Sequence, residues 1–241
     1  MVLRKWDKLP ESMKNDAVRP YYEKLKKQTV SLVLKRTFDI VVSFIMLLLL
    51  SPVMLVLAIM IKLDTPGPVF FRQERITTYG ESFRIFKFRT MTHNAGGPAI
   101  TRDNDNRITK VGKKIRDLRL DELPQLIDVL RGKMTFVGTR PEAPKFVDVY
   151  TDEMKATLLM PAGITCIASI LFKDERELMK DEEDTDKAYV EIVLPQKMKC
   201  CFWEIKHFSI LNDIKTMFLT VFSVLGMCEK KTEALKNDIL S

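Results

Sequence analysis

Residues 40–61 read IVVSFIMLLLLSPVMLVLAIMI, an uncharged apolar run of 22 residues. About 20 such residues let an α-helix cross the ~30 Å hydrocarbon core of a bilayer. A cleaved signal peptide fits poorly: the run is long, starts late and has no small-residue cleavage motif behind it. Ser51-Pro52 stands at its centre. Proline removes a backbone donor and crowds the preceding turn, so a kink is expected there, with freed backbone groups taken by Ser51 or Ser43. Each half is then about 11 residues, roughly 16 Å of helix, too short to span alone. Lys24, Lys26, Lys27, Lys35 and Arg36 precede the run, and Lys62, Arg72 and Arg75 follow it. Cations on both sides give the positive-inside rule no preferred end. A helix-break-helix that enters and leaves by one face removes that conflict. A straight span with a tolerated proline is the competing reading.

Around this run the chain has the composition of a folded protein, 46% hydrophobic and 29% charged over 241 residues. A net charge of +7 points to an anionic partner: nucleic acid, an anionic membrane surface or a phosphorylated small molecule. Cys166, Cys200, Cys201 and Cys228 show no C-x-x-C spacing, which argues against a disulfide framework or zinc site. Two histidines, His93 and His207, are too few for a His-based zinc site or a Ser-His-Asp triad. Catalysis, if present, falls to carboxylates, lysine and arginine.

Upstream, residues 1–34 form a polar leader with one helical-looking piece around YYEKLKKQTVSLVLKR. Downstream, VFFRQERI and SFRIFKFRTM are β-branched and aromatic, and predict two short extended pieces joined near Gly80. HNAGGPAITRDNDNR predicts a long loop, and ITKVGKKIRDLRL a basic amphipathic helix with Val111, Ile115 and Leu118 on one face. In LRLDELPQLIDVLRG (118–132), Leu123, Leu126, Ile127 and Leu130 form a buried helical stripe. Pro124 fits only near a helix start, so Asp121 and Glu122 fall at or before an N-terminus, and Gly132 ends the helix. MTFVGTRPEAP predicts a short strand running into a turn, and MPAGITCIASILF a turn and an extended piece. Residues 173–187 predict a charged helix or loop. The segment 196–227 predicts an interfacial or packing helix.

The acidic pair has two readings. Asp121-Glu122 can simply complement the dipole of the helix that follows. Alternatively it is a site. Arg89, Arg116 and Arg140 offer planar forks for phosphate oxygens. A carboxylate can hold Mg²⁺, and an aspartate can attack phosphorus. The basic stretch 110–119 is either a solvated face or a contact for headgroups or nucleic acid. With a membrane segment in the same chain, anionic lipid is the better candidate.

The ordered blocks KRTFDIVVSF, LLSPVMLVLAIMIKLDTPGPVFFRQERI, FRIFKFRTM, LDELPQLIDVLRGKMTFVGTRPE and PAGIT resemble the bacterial sugar transferases, the monotopic phosphoglycosyl transferases. The resemblance covers roughly residues 33–222. It implies an α+β, mostly helical, membrane-associated domain with a re-entrant N-terminal helix, short strands and interfacial amphipathic helices. The expected boundaries are 1–34 for the leader, 35–63 for the re-entrant helix, 64–222 for the catalytic domain and 223–241 for a tail. The implied reaction moves sugar-1-phosphate from a UDP-sugar to polyprenyl phosphate at the cytoplasmic face of the inner membrane, and UMP leaves. By the same resemblance Asp121 is the nucleophile, Glu122 the Mg²⁺ ligand and Arg140 a phosphate contact. Lys87, Arg89 and Arg116 are weaker substrate-phosphate contacts. No nucleic-acid partner is implied, and a homodimer stays open. The surrounding cations are expected to keep both carboxylates ionised. Departures from the family pattern are the missing glycine in RQERITTYG, Thr139 in GTRPE, Ala162 in PAGIT and Cys166 where glycine is frequent. They bear on loop geometry and sugar choice. The competing class is a non-enzymatic, membrane-anchored basic protein, which explains the charge and the apolar run but neither the DE pair before Pro124 nor GTRPE.

Overall fold

Helix α1 (Arg19–Lys27) and helix α2 (Thr29–Asp64) are separated by Gln28 alone. The computed structural model describes residues 1–93, 105–173, 177–179, 184–227 and 229–240. With 36 residues, α2 is long and apolar enough to cross a membrane, and only 11% of its most apolar window is buried. At 1.5 Å per residue it extends for about 54 Å. One stripe, including Ile40, Phe44, Leu48, Leu55, Ile59 and Leu63, is exposed.

The opposite stripe is fastened along its length. Near the N-terminal end Lys35 Nζ donates to the Val137 carbonyl (2.9 Å) and pairs with Asp213 (2.5 Å). Arg36 donates to the carbonyls of Val129 and Leu130, and Asp39 accepts from Thr135 Oγ1 at 2.7 Å. In the middle, Phe38, Val42, Met46, Leu47 and Leu50 pack on a core of Phe83, Ile85, Leu126, Val129, Met134, Phe136 and Val137. Near the C-terminal end Leu57 and Ile61 pack with Phe88 and Ile115.

Pro52 lies inside α2, which is helical on both sides of it. Pro52 cannot donate to the Leu48 carbonyl four residues back. Ser51 Oγ donates to that carbonyl instead, at 2.8 Å. One of the two expected serines thus fills the vacancy, whereas Ser43 Oγ bonds the Ile40 carbonyl.

Beyond α2 come strands β1 (Phe70–Ile76) and β2 (Ser82–Phe88), an antiparallel pair with Phe70 opposite Phe88 and Ile76 opposite Ser82. Their turn carries Tyr79 at φ 59° and Gly80 at φ 78°. Helix α3 (Lys110–Asp117) follows, capped by Thr109 Oγ1, which accepts from the Gly112 amide at 2.9 Å. Helix α4 (Gln125–Leu130) starts after Pro124, and Gly132 at φ 79° follows its end. Strand β3 (Met134–Val137) then leads to helix α5 (Pro144–Val147), and strand β4 (Ala162–Thr165) pairs parallel to β3. Helices α6 (Ile167–Leu171), α7 (Thr185–Ala188), α8 (Leu194–Lys206), α9 (Ile210–Val224) and α10 (Glu229–Leu240) complete the chain, with a π-helical turn, Tyr189–Val193, between α7 and α8. The mixed, predominantly helical class expected from the sequence is observed.

One reading needs correction. Residues 167–171 are helical, not extended. The Glu204 carboxylate accepts from the Ile167 amide at 2.9 Å, a tertiary partner 37 residues away that no local pattern reveals. The polar leader contributes to a core of its own. Leu9, Met13, Val18, Tyr21, Tyr22 and Leu25 share a core with Ala156, Leu159, Ile205 and Phe208. At the other end, Leu235, Ile239 and Leu240 pack against the Phe172–Cys200 cluster. The expected loop at 93–107 lies largely outside the described residues, as does much of 173–187.

Candidate active site

Between α3 and α4 the chain reverses sharply. Arg119 adopts the left-handed conformation (φ 56°, ψ 20°), uncommon for a residue with a side chain, and a 3₁₀ turn, Leu120–Glu122, follows. This turn sets Asp121 and Glu122 in place. Lys87 reaches them from β2 and Arg140 from the turn after β3. The latter turn depends on two glycines. A Cβ on Gly163 would lie 2.2 Å from the Gly138 carbonyl oxygen, so β3 and β4 can approach as they do only without side chains here.

The two carboxylates have opposite surroundings. Glu122 Oε1 accepts from Lys87 Nζ at 2.8 Å and from Arg140 Nη2 at 2.7 Å, with a side chain only 13% exposed. Among the described residues no hydrogen bond or ion pair holds the Asp121 carboxylate. Burial pushes Glu122 up, but the charges and hydrogen bonds of Arg140 and Lys87 overcome it and hold the carboxyl far below the usual range. For Asp121 burial is the largest influence and the charge of Glu122 adds to it. Lys87, Arg116 and Arg119 pull the other way without cancelling them, so its pKa is raised. Lys87 and Arg140 thus bond Glu122, while Lys87, Arg116 and Arg119 favour the charged form of Asp121 less than burial and Glu122 oppose it.

Of the residues singled out from sequence, Asp121, Glu122, Lys87 and Arg140 come together, and Arg116 lies close enough to Asp121 to influence its charge. Arg89 goes elsewhere. It is buried, and its guanidinium donates to the carbonyls of Ile61, Thr65 and Pro66, where it caps the C-terminal end of α2. A planar fork suits clustered carbonyls at a helix end as well as it suits phosphate. Sequence reading missed Arg75. It is half-buried near Arg140, Glu122 and Glu142, and desolvation lowers its pKa. Its place in RQER, beside the turn bearing GTRPE, was the available signal.

Glu122, Arg140, Asp117 and Arg119 border a cleft of about 620 Å³. Its remaining wall comes from Met46 of α2, Thr165, Ser169 and Ile170 around α6, Lys197 of α8, and Met217 and Thr220 of α9. Charged, polar and apolar side chains all line it. Mg²⁺ is a hard ion commonly held by one or two carboxylates while substrate phosphates complete its shell. Glu122, strongly ionised and with only Oε1 engaged by cations, fits as an oxygen donor.

The family model for bacterial sugar transferases matches residues 30–227. The chain belongs to that family. Among its relatives is a protein of Aeromonas hydrophila named UDP-N-acetylgalactosamine-undecaprenyl-phosphate N-acetylgalactosaminephosphotransferase, 38% identical over 197 residues, or 80% of this chain and 44% of that one. An Escherichia coli relative, named UDP-glucose:undecaprenyl-phosphate glucose-1-phosphate transferase, is 37% identical over 88% of this chain and 44% of its own length. A Caulobacter vibrioides protein of the same name is 35% identical over 79% of this chain and 69% of its own. This bacterial sugar transferase thus spans less than half the length of the first two relatives.

Proposed function

We propose that this bacterial sugar transferase moves sugar-1-phosphate from a UDP-sugar to a membrane polyprenyl phosphate through a phosphoglycosyl-aspartate intermediate. The observation that carries the reading is the division within the pair: Glu122 is clamped by two cations, while Asp121 beside it has no partner among the described residues. A nucleophile must have its oxygens free. The names of the relatives support a UDP-sugar and undecaprenyl phosphate as the substrate classes.

In the first step an Asp121 oxygen attacks the sugar-bearing phosphorus. The bond from that phosphorus to the bridging oxygen breaks, and its electron pair leaves with UMP. In the second step a polyprenyl phosphate oxygen attacks the same phosphorus and expels the Asp121 carboxylate. Arg140 and Lys87 keep Glu122 ionised and oriented; Arg116 and Arg119 add positive field beside Asp121. Bound Mg²⁺, held by Glu122, would offset the charge of the phosphates. No proton has to be delivered to UMP, which fits a site without histidine.

The way α2 is held supports a one-sided attachment. Lys35, Arg36 and Asp39 near one end, and the Arg89-capped carbonyls at the other, are fastened to a single body. A straight span would carry that body and its buried charges into hydrocarbon. A re-entrant helix, with the body on the cytoplasmic face of the inner membrane, avoids this. Helix α9 extends the apolar surface with exposed Phe218, Val221 and Phe222, as an interfacial helix would.

The test is mass spectrometry of the full chain quenched with UDP-sugar and Mg²⁺ in the absence of acceptor, run over a panel of UDP-sugars. A sugar-phosphate adduct on Asp121, discharged by polyprenyl phosphate, is expected. An adduct on another residue would overturn the assignment.

A further inference from the structure

Among the described residues, Tyr79 and Arg119 are the two that carry side chains and still take left-handed backbone, at φ 59° and 56°. That conformation crowds a Cβ against the following carbonyl, so glycine normally fills it. At Tyr79 the side chain accounts for the strain within the protein itself. Its hydroxyl accepts from the Arg4 amide at 2.9 Å, and the Arg4 guanidinium lies 4.4 Å from the ring centre. The strained turn thereby holds the leader.

Arg119 is not engaged in this way. It stands just past the end of α3, the position where a left-handed glycine most often closes a helix. Backbone alone makes the closure: the Arg119 amide donates to the Arg116 carbonyl at 3.0 Å, and its carbonyl accepts from the Glu122 amide at 3.4 Å. Glycine would make both bonds with less strain. A cation does complement the dipole at a helix C-terminus, but Lys114 and Arg116 do so from ordinary helical positions in the last turn. No hydrogen bond or ion pair holds the Arg119 guanidinium among the described residues. What distinguishes the side chain is its place. It is exposed, it lines the cleft with Glu122 and Arg140, and its charge acts on Asp121. Backbone strain of this kind collects at ligand sites, and a planar guanidinium matches phosphate oxygens two at a time.

Building on the transfer reading above, we infer that Arg119 is a substrate-binding residue whose guanidinium takes a phosphate group in the cleft. Each substrate carries one, the donor in its diphosphate and the acceptor at the head of its prenyl chain, and the experiment separates the two. The full chain in detergent, with Mg²⁺, is titrated by calorimetry with UMP, UDP and farnesyl phosphate in turn, so that the readout needs no turnover. Arg119→Gly removes the fork and accepts the left-handed backbone without strain. Its melting temperature is expected to hold or rise, while affinity falls by roughly tenfold to a hundredfold, the usual range for a hydrogen bond to a charged group. A fall confined to UMP and UDP assigns the donor phosphate, and one confined to farnesyl phosphate assigns the acceptor phosphate. Arg119→Lys should recover part of the loss. A folded Arg119→Gly that binds all three probes as the parent does overturns the assignment and leaves the transfer reading intact. So does a loss that comes with a lower melting temperature and that Arg119→Lys does not recover, since the arginine then merely holds the turn. If Arg119→Gly fails to fold, Arg119→Asn, which also tolerates this backbone, decides by the same outcomes. A parent chain that binds none of the three probes sinks the transfer reading, and this inference with it.

Discussion

Two buried clusters of opposite balance flank β3. At the anchor of α2, one lysine, Lys35, serves a neighbourhood of three acids: its ion-pair partner Asp213, Asp39 and Glu204. At the pair site, Lys87, Arg116, Arg119 and Arg140 surround two acids. Burial therefore wins at the anchor. Asp213 is raised despite its lysine, and Glu204 is pushed up to about 8. At the pair site the cations win for Glu122 and lose for Asp121. The anchor spends its polar atoms on holding backbone. The pair site concentrates its cations on one carboxylate and leaves the adjacent one unheld. Charge count alone does not distinguish structure from chemistry; the distribution of partners does.

The sharpest way to break this comparison is Asp121→Asn. Turnover and adduct formation should fall by roughly 10⁴-fold, as when a nucleophile is deleted from a covalent mechanism. The same variant should melt at a higher temperature near neutral pH. A carboxyl whose folded pKa is raised contributes stability in full below its unfolded pKa and loses it as pH rises through the folded value, so the neutral amide gains there. Lower stability together with near-normal turnover would reverse the roles assigned to the two clusters.

At the anchor the expected effect is on stability. Lys35→Met strands Asp213 beside Glu204, and breaking a buried pair from one side typically costs about 3–5 kcal/mol. Thermal melts in detergent should drop accordingly, while UMP affinity of the folded fraction stays within about twofold. Arg140→Lys sharpens the contrast from the other side. It retains charge but loses the fork, and a turnover drop of roughly tenfold to a hundredfold with little change in melting temperature is expected.

The smallest effect is the most diagnostic of the anchor's acid excess. Glu204, with its pKa pushed up to about 8 chiefly by burial, lends stability that is complete below its unfolded pKa and fades as pH rises through about 8. Glu204→Gln can still accept from the Ile167 amide but no longer titrates. Its melting temperature should hold between pH 7 and 9 where the parent's declines, and parallel declines would show that Glu204 does not carry the effect.

Local pattern made much of this legible. The apolar run, the β1–β2 turn at Gly80, α3 and the start of α4 after Pro124 all follow from periodicity and special residues within a few positions. The DE pair with Arg140 and Lys87 was readable because motif order brings distant blocks into one comparison. What escaped was set by partners far along the chain. Arg89 looked like a phosphate fork, but the end of α2 takes it. The segment after Cys166 looked extended until Glu204 supplied a helix start. The role of the leader was not readable, because its apolar residues are spaced among charges and find their core in Ala156, Leu159, Ile205 and Phe208. Lys197 gave no signal, since one lysine in a mixed helix has none to give.

The bond from Ser51 Oγ to the Leu48 carbonyl sets the middle of α2 apart from its start. Proline ordinarily leaves a helix with a carbonyl that must wait for water or a neighbouring element. Here the residue beside Pro52 closes it, so the middle of α2 carries its own repair. The middle of the helix is therefore satisfied within itself, while Lys35, Arg36 and Asp39 near its start are satisfied only by β3, α4 and α9.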